Sequence, residues 1–194
     1  MPRRTWYRLT VPVGAWAAIA GMNLGMRTDR TAVIPYSVSQ ITPQLFIAPR
    51  PRSHHVEHIR GLDVQLVLSM IGVTPPRALA EPPFELIRLP VYDIFLLPIP
   101  LAVLQRGVKA ALRVMESGGR VLCYCRAGRH RSVAMAASIL IARGMTADDA
   151  MDVILKMRPL ADPHARHIES RIRAFEDMWR LEHPPSDATS SPEA

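Results

Sequence analysis

The stretch Cys125-Arg126-Ala127-Gly128-Arg129-His130-Arg131-Ser132 gathers a sulfur nucleophile, three guanidinium groups, an imidazole and a hydroxyl in eight consecutive residues. It lies between a short apolar run, Arg120 to Tyr124, and a nearly all-apolar one, Ser132 to Arg143. A loop that leaves a strand and enters a helix points its backbone N–H groups at one spot, where the helix dipole adds positive potential, so the stretch reads as an anion cradle. Gly128 permits the tight curve. A cysteine at the mouth of such a cradle ionises below the free thiol value of about 8.5. Arg131, six residues later, can fold back and offer a two-pronged guanidinium to a phosphate dianion. A thiolate facing phosphate attacks phosphorus in line, and water then hydrolyses the phosphocysteine. Ser132 can hydrogen-bond the sulfur and help it leave. The phosphate-binding set expected from the loop is Arg126, Ala127, Gly128, Arg129, His130 and Arg131, with Arg126 and Arg129 pointing outward into solvent as the alternative.

The departing oxygen needs a proton, so a general acid must reach over the cradle from another loop. Asp93 is the only aspartate between Asp63 and Asp148, and it follows the apolar run Phe84 to Leu89 in the loop Pro90-Val91-Tyr92-Asp93, 32 residues before Cys125. Glu81, Glu85 and Glu116 are its rivals, but Glu85 falls within a strand and Glu116 near a helix end. Asp93 is the expected acid.

The elements that must position these groups can be read from periodicity and punctuation. Leu45 to Ala48, Val64 to Met70, Phe84 to Leu89 and Arg120 to Tyr124 are short runs bounded by Pro and Gly, which predicts strands. Leu101 to Glu116 predicts a helix ended by a left-handed cap at Gly118-Gly119. Ser132 to Arg143 predicts a buried helix. Thr146 predicts the cap of a helix reaching Met157, and Asp162-Pro163 the opening of a last one running to about Trp179. Strands alternating with helices imply an α/β fold with a mostly parallel central sheet flanked by helices.

The 194 residues carry 24 Lys+Arg against 17 Asp+Glu, a formal charge of +7, and are 48% hydrophobic. That excludes a wholly disordered chain and fits one catalytic domain, 36–180, with an N-terminal extension over 1–30 and a disordered tail over 183–194. Residues 1–60 hold eight arginines against Asp29 and Glu57, so nearly all the excess charge is N-terminal. Residues 9–26 are uncharged and flanked by arginines on both sides. They read as a membrane anchor or interfacial helix, with a signal peptide or a segment packed on the domain as alternatives. Aromatic and basic residues do not interleave as a base-stacking surface requires, so nucleic acid is not an expected partner.

Cys125-x5-Arg131 followed by Ser132 resembles the signature of the cysteine-dependent protein tyrosine phosphatase superfamily. The Asp93-to-Cys125 separation and the pair Arg158-Pro159 after the next helix resemble its dual-specificity branch. The resemblance covers Tyr36 to Trp179. It implies the protein tyrosine phosphatase-like fold and metal-free hydrolysis of phosphomonoesters without a cofactor. Cys125 is then nucleophile, Arg131 phosphate holder and Asp93 general acid. It also implies a phosphorylated protein as substrate. Cys-Arg-Ala-Gly-Arg-x-Arg is in addition similar to lipid-directed branches acting on phosphoinositides or phosphatidylglycerophosphate, which makes a phospholipid the alternative. The family places His immediately before the nucleophile, where this chain has Tyr124; a catalytically weak, phosphate-binding pseudophosphatase is the third reading.

Other residues are expected to do less. His54, His55 and His58 have helical metal-ligand spacing but no carboxylate or cysteine joins them, so no metal site is assigned. His164 and His167 read as a solvated face of the last helix. Cys123 is expected in the core, since a disulfide to Cys125 would be badly strained. A working thiolate favours a reducing compartment, cytoplasmic or membrane-associated, over export.

Overall fold

A computed structural model describes residues 36–184. Within it five strands, β1 (Ser39–Thr42), β2 (Leu45–Ala48), β3 (Leu66–Ser69), β4 (Glu85–Arg88) and β5 (Val121–Tyr124), form one sheet in the order β1-β2-β5-β3-β4. The β1–β2 pair is antiparallel and all other pairs are parallel. The three inner strands are buried at every position, as a sheet covered on both faces requires, whereas edge strand β4 is buried nowhere completely. The α/β expectation therefore holds. β5 is the middle strand, so the loop at its carboxyl end opens where parallel sheets present ligand sites.

Five helices complete the domain: α1 (Val56–Gly61), α2 (Leu101–Glu116), α3 (Arg131–Ala142), α4 (Ala147–Met157) and α5 (Arg166–Glu182). α3 is the central one. Ten of its twelve residues are buried, which explains its lack of a polar face. It packs against α2, α4 and α5 on one side and β2 and β5 on the other. α5 reaches the core through Ile168, Ile172, Phe175 and Trp179, one stripe at helical spacing.

The local signals act as expected in most places. Gly118 takes φ +85°, and the N–H groups of Gly118 and Gly119 close α2 on the carbonyls of Met115 and Val114. The Thr146 hydroxyl accepts from Asp149 N–H at 3.1 Å and caps α4. The start of α5 differs. The Asp162-Pro163 pair does not open it, and the helix begins at Arg166 with Ala165 as its cap residue. Asp162 instead forms a turn ahead of the helix, its C=O accepting from Ala165 N–H at 3.4 Å while its N–H donates to Arg129 C=O of the signature loop at 3.0 Å. His164 accordingly lies before the helix. The N-terminal segment 1–30, and all of the 183–194 tail beyond Pro184, fall outside the described residues. Among the described residues no helix is long and apolar enough to cross a membrane.

Candidate active site

The loop between β5 and α3 is shaped by where its carbonyls go. Arg126 C=O accepts from Arg50 N–H at 3.2 Å, Arg129 C=O from Asp162 N–H at 3.0 Å, and His130 C=O from Ala134 N–H at 2.9 Å. Gly128 C=O and Ala127 C=O accept from the Arg158 guanidinium, Nε at 2.7 Å and Nη2 at 3.4 Å. With every carbonyl turned to the scaffold, the N–H groups are left to face the inside of the curve. Gly128 has φ +68°, and a Cβ there would sit 2.6 Å from Arg158 Nη2 and 2.8 Å from Ala48 C=O. Only glycine meets both demands.

Cys125 stands at the end of β5 with 1% exposure. Its sulfur accepts from Gly128 N–H at 3.2 Å and from Ser132 Oγ at 3.3 Å. Burial opposes ionisation of this thiol. The Ser132 hydroxyl and the N–H groups of Ser132, Arg129 and His130 outweigh it and hold the thiol below its ordinary value. The Arg158 guanidinium is a buried cation whose partners are carbonyls and the Ser39 hydroxyl. Burial pulls its pKa down while the Cys125 thiolate pulls it up, so the two charges support each other.

Arg131 is the first residue of α3. Its Nη1 donates to Val91 C=O at 3.2 Å, and its Nε, buried and without a hydrogen-bond partner, lies 3.3 Å from Asp93 Oδ2 at poor angle. A buried guanidinium N–H held without an acceptor is poised for an anion. Together Arg50, Ile71, Val73, Arg126 and Arg131 line a cleft of about 320 Å³ beside the loop.

Asp93 meets this loop from the far side. Its carboxylate lies 3.1 Å from His167 Nε2 and 3.2 Å from His130 Nδ1. Burial raises its pKa, but His167, His130 and Arg131 prevail and hold it below the usual carboxylate range. His130 Nε2 in turn lies 3.6 Å from Asp162. Among the described residues Asp93, His130 and His167 form the one group with metal-ligand spacing, their donor atoms lying within 4.8 Å of one another. That carboxylate already accepts from both rings and faces Arg131.

The expected residues thus converge, with two refinements. Arg126 lines the cleft, whereas Arg129 turns toward Asp162 at 3.9 Å and is half exposed, so the alternative of an outward side chain holds for one arginine of the pair. His167 is no solvated residue: it comes 74 positions along the chain to touch Asp93. Arg50 and His167 were not legible as site residues. Arg158 was legible only through its place before Pro159. Of the histidines set aside, His55 Nδ1 accepts from Arg52 N–H at 3.1 Å and its ring stacks on Tyr36, which is structural work. Cys123 is buried in the core, where burial pushes its thiol up, and both cysteines are free. Tyr124 is fully buried, its hydroxyl without a hydrogen-bond partner, and burial pushes the phenol up as well.

A thiol in a ring of donors at the carboxyl end of a central strand, faced by a carboxylate on a separate loop, defines a cysteine-dependent phosphatase. No protein-family model matches the chain. Human dual specificity phosphatase 28 is 28% identical over 140 residues, 71% of this chain and 77% of the relative. The rat phosphatidylglycerophosphatase and protein-tyrosine phosphatase 1 is 39% identical over 75 residues, 38% of each chain. Among solved structures, a mouse putative dual specificity phosphatase complexed with zinc tungstate superposes with a TM-score of 0.69 at 25% identity, over 77% of this chain and 92% of that one. PTPMT1 in complex with PI(5)P superposes with a TM-score of 0.67 at 21% identity, over 75% and 97%. The chain is thus similar to dual-specificity phosphatases and to phosphatidylglycerophosphate phosphatase-like proteins, and is a phosphoric monoester hydrolase.

Proposed function

We propose that the protein hydrolyses phosphomonoesters through a phosphocysteine on Cys125. One observation carries this reading: the Cys125 sulfur sits among the N–H of Gly128 and the hydroxyl of Ser132, in a loop whose carbonyls are all engaged elsewhere. Phosphate binds in the curve of the loop and takes up the free Nε–H of Arg131. The thiolate attacks phosphorus, the S–P bond forms, and the P–O bond to the leaving group breaks on the opposite side. The leaving oxygen takes its proton from Asp93. A phosphate dianion beside Asp93 repels the carboxylate and draws Arg131 away, and both effects favour the protonated acid the step requires. In the second step water attacks phosphorus, gives its proton to Asp93 and releases the sulfur, which the Ser132 hydroxyl stabilises as thiolate. Residues 36–180 then act as one catalytic domain.

The relatives favour a dual-specificity protein phosphatase acting on phosphorylated tyrosine, serine or threonine. A phospholipid substrate is the second reading, favoured by the arginines Arg50, Arg126 and Arg131 around the cleft and by the likeness to PTPMT1. The mechanism is tested by acid-quenched capture of phosphocysteine and by hydrolysis of p-nitrophenyl phosphate in EDTA. Activity retained in Cys125→Ser sinks the nucleophile. A parallel panel of phosphopeptides, phosphoinositides and phosphatidylglycerophosphate separates the two substrate readings.

A further inference from the structure

The loop that carries Asp93 has an unusual surface. Tyr92, Ile94, Phe95, Leu96 and Leu97 are 71%, 48%, 60%, 83% and 51% exposed, five large apolar side chains in six residues. Scattered exposed apolar residues are ordinary, but a contiguous run marks a contact surface. The backbone makes the run a projection. Leu97 N–H donates to Ile94 C=O at 3.2 Å and the two residues bridge, so Phe95 and Leu96 occupy the two central positions of a reverse turn. Those positions normally hold Gly, Pro, Asn, Asp or Ser, which supply the turn's dihedral angles or bond its backbone. Here they hold a phenyl ring and an isobutyl group, and Leu96 is the most exposed side chain of the loop. The turn is braced from both ends: Arg166, from the start of α5, lies over the Phe95 ring at 5.6 Å, and Pro98 and Pro100 follow it. The one charge within it, Asp93, is turned inward onto His130, His167 and Arg131.

The cleft that this loop borders is lined by positive charge. Arg131 joins the loop to the cleft through Val91 C=O, and Arg50 and Arg126 line that cleft with the exposed Val73. Among the described residues no carboxylate pairs with Arg50, Arg126 or Arg166. An apolar projection with Arg166 against it and an arginine-lined cleft joined to its loop complements an anionic bilayer: the side chains enter the acyl boundary and the guanidinium groups meet lipid phosphates.

We propose that Tyr92–Leu97 is a membrane-docking tip that seats the enzyme on an anionic phospholipid surface, so that the phosphomonoester headgroup of a lipid enters the arginine-lined cleft directly from the bilayer. The proposal rests on the phosphatase reading and selects the lipid class within it. The arginines without carboxylate partners among the described residues, Arg50, Arg126 and Arg166, make an anionic bilayer the occupant these charges fit.

The test uses the full chain. Leu96→Cys in a Cys125→Ser background, with Cys123 fully buried, gives a single accessible thiol for a polarity-sensitive fluorophore. Vesicles of phosphatidylcholine and phosphatidylglycerol should blue-shift its emission, vesicles of phosphatidylcholine alone should do so far less, and salt should weaken the effect. In the otherwise unchanged protein, Phe95→Ser/Leu96→Ser should lower the ratio of turnover on vesicle-borne phosphatidylglycerophosphate to turnover on p-nitrophenyl phosphate by about tenfold or more. A fluorophore that stays in water with either vesicle overturns the proposal. So does emission that is already blue-shifted without vesicles, which would mean that residues 9–26 or a second copy cover the tip. A ratio that is unchanged while phosphopeptide turnover falls assigns the tip to a protein partner and overturns it equally. If neither substrate turns over but the fluorophore enters anionic vesicles, docking stands and the catalytic reading fails, so the two failures are distinguishable.

Discussion

The two loops that meet over the active site are built in opposite ways. In 126–130 each carbonyl has a partner, drawn from β2's exit at Arg50, from Arg158, from Asp162 and from Ala134 of α3. In Tyr92–Leu97 a single internal backbone hydrogen bond holds the turn, and the outside anchors are Arg131 on the preceding Val91, Arg166 over Phe95 and the contacts of Asp93. A phosphate group has one shape, so the loop that holds it gains from being rigid. The rest of the substrate varies, and the loop that delivers the proton also touches that rest. Rigidity is placed where the chemistry is constant and adaptability where it is not.

The contrast predicts which substitutions separate catalysis from stability. Asp93→Ala should show the largest effect, cutting turnover by roughly 10²–10⁴-fold and flattening the basic limb of the pH profile, with little change in Tm. A large fall in Tm would show that the acid loop is as much a part of the scaffold as the signature loop. Arg158→Met should do the reverse. Leaving the carbonyls of Ser37, Ala127 and Gly128 without their donor should cost about 3 kcal/mol or more, lowering Tm together with phosphate affinity, as thermal unfolding with and without inorganic phosphate would reveal.

Two smaller effects sharpen the picture. Ser132→Ala removes a donor that favours the Cys125 thiolate, so the thiol pKa rises, and alkylation by iodoacetamide should require higher pH than in the parent. His167→Ala removes a hydrogen bond that holds Asp93 low against the effect of its burial. The carboxyl should keep its proton to higher pH, and the basic limb of kcat/KM should move upward. A downward move would assign that limb to another group.

What the sequence made legible follows from where the signals are local. Leu45–Ala48 and Leu101–Glu116 appear with the expected bounds because apolar periodicity and Pro or Gly punctuation coincide there. β1 was not legible: Ser-Gln-Ile-Thr has no apolar alternation to speak of and becomes a strand because β2 pairs with it. The cysteine loop could be read whole because nucleophile, glycine and arginine sit on one segment. His167 could not, since its meeting with Asp93 depends on the packing of α5 along α3, which no local pattern records. Asp162 misled for a related reason: Asp-Pro is a good helix opening, but here it forms a turn that meets Arg129 of another segment, a tertiary contact that no local pattern records.

Arg158 also bears on the order in which the enzyme becomes an enzyme. Its guanidinium joins Ser37 C=O and Ser39 Oγ, at the beginning of the domain, to Ala127 and Gly128, yet it is made 33 residues after Cys125. A chain emerging from the ribosome therefore displays its cysteine well before the residue that shapes the loop around it. Competence to take phosphate should appear late and all at once, when the region after α4 closes onto the first strand.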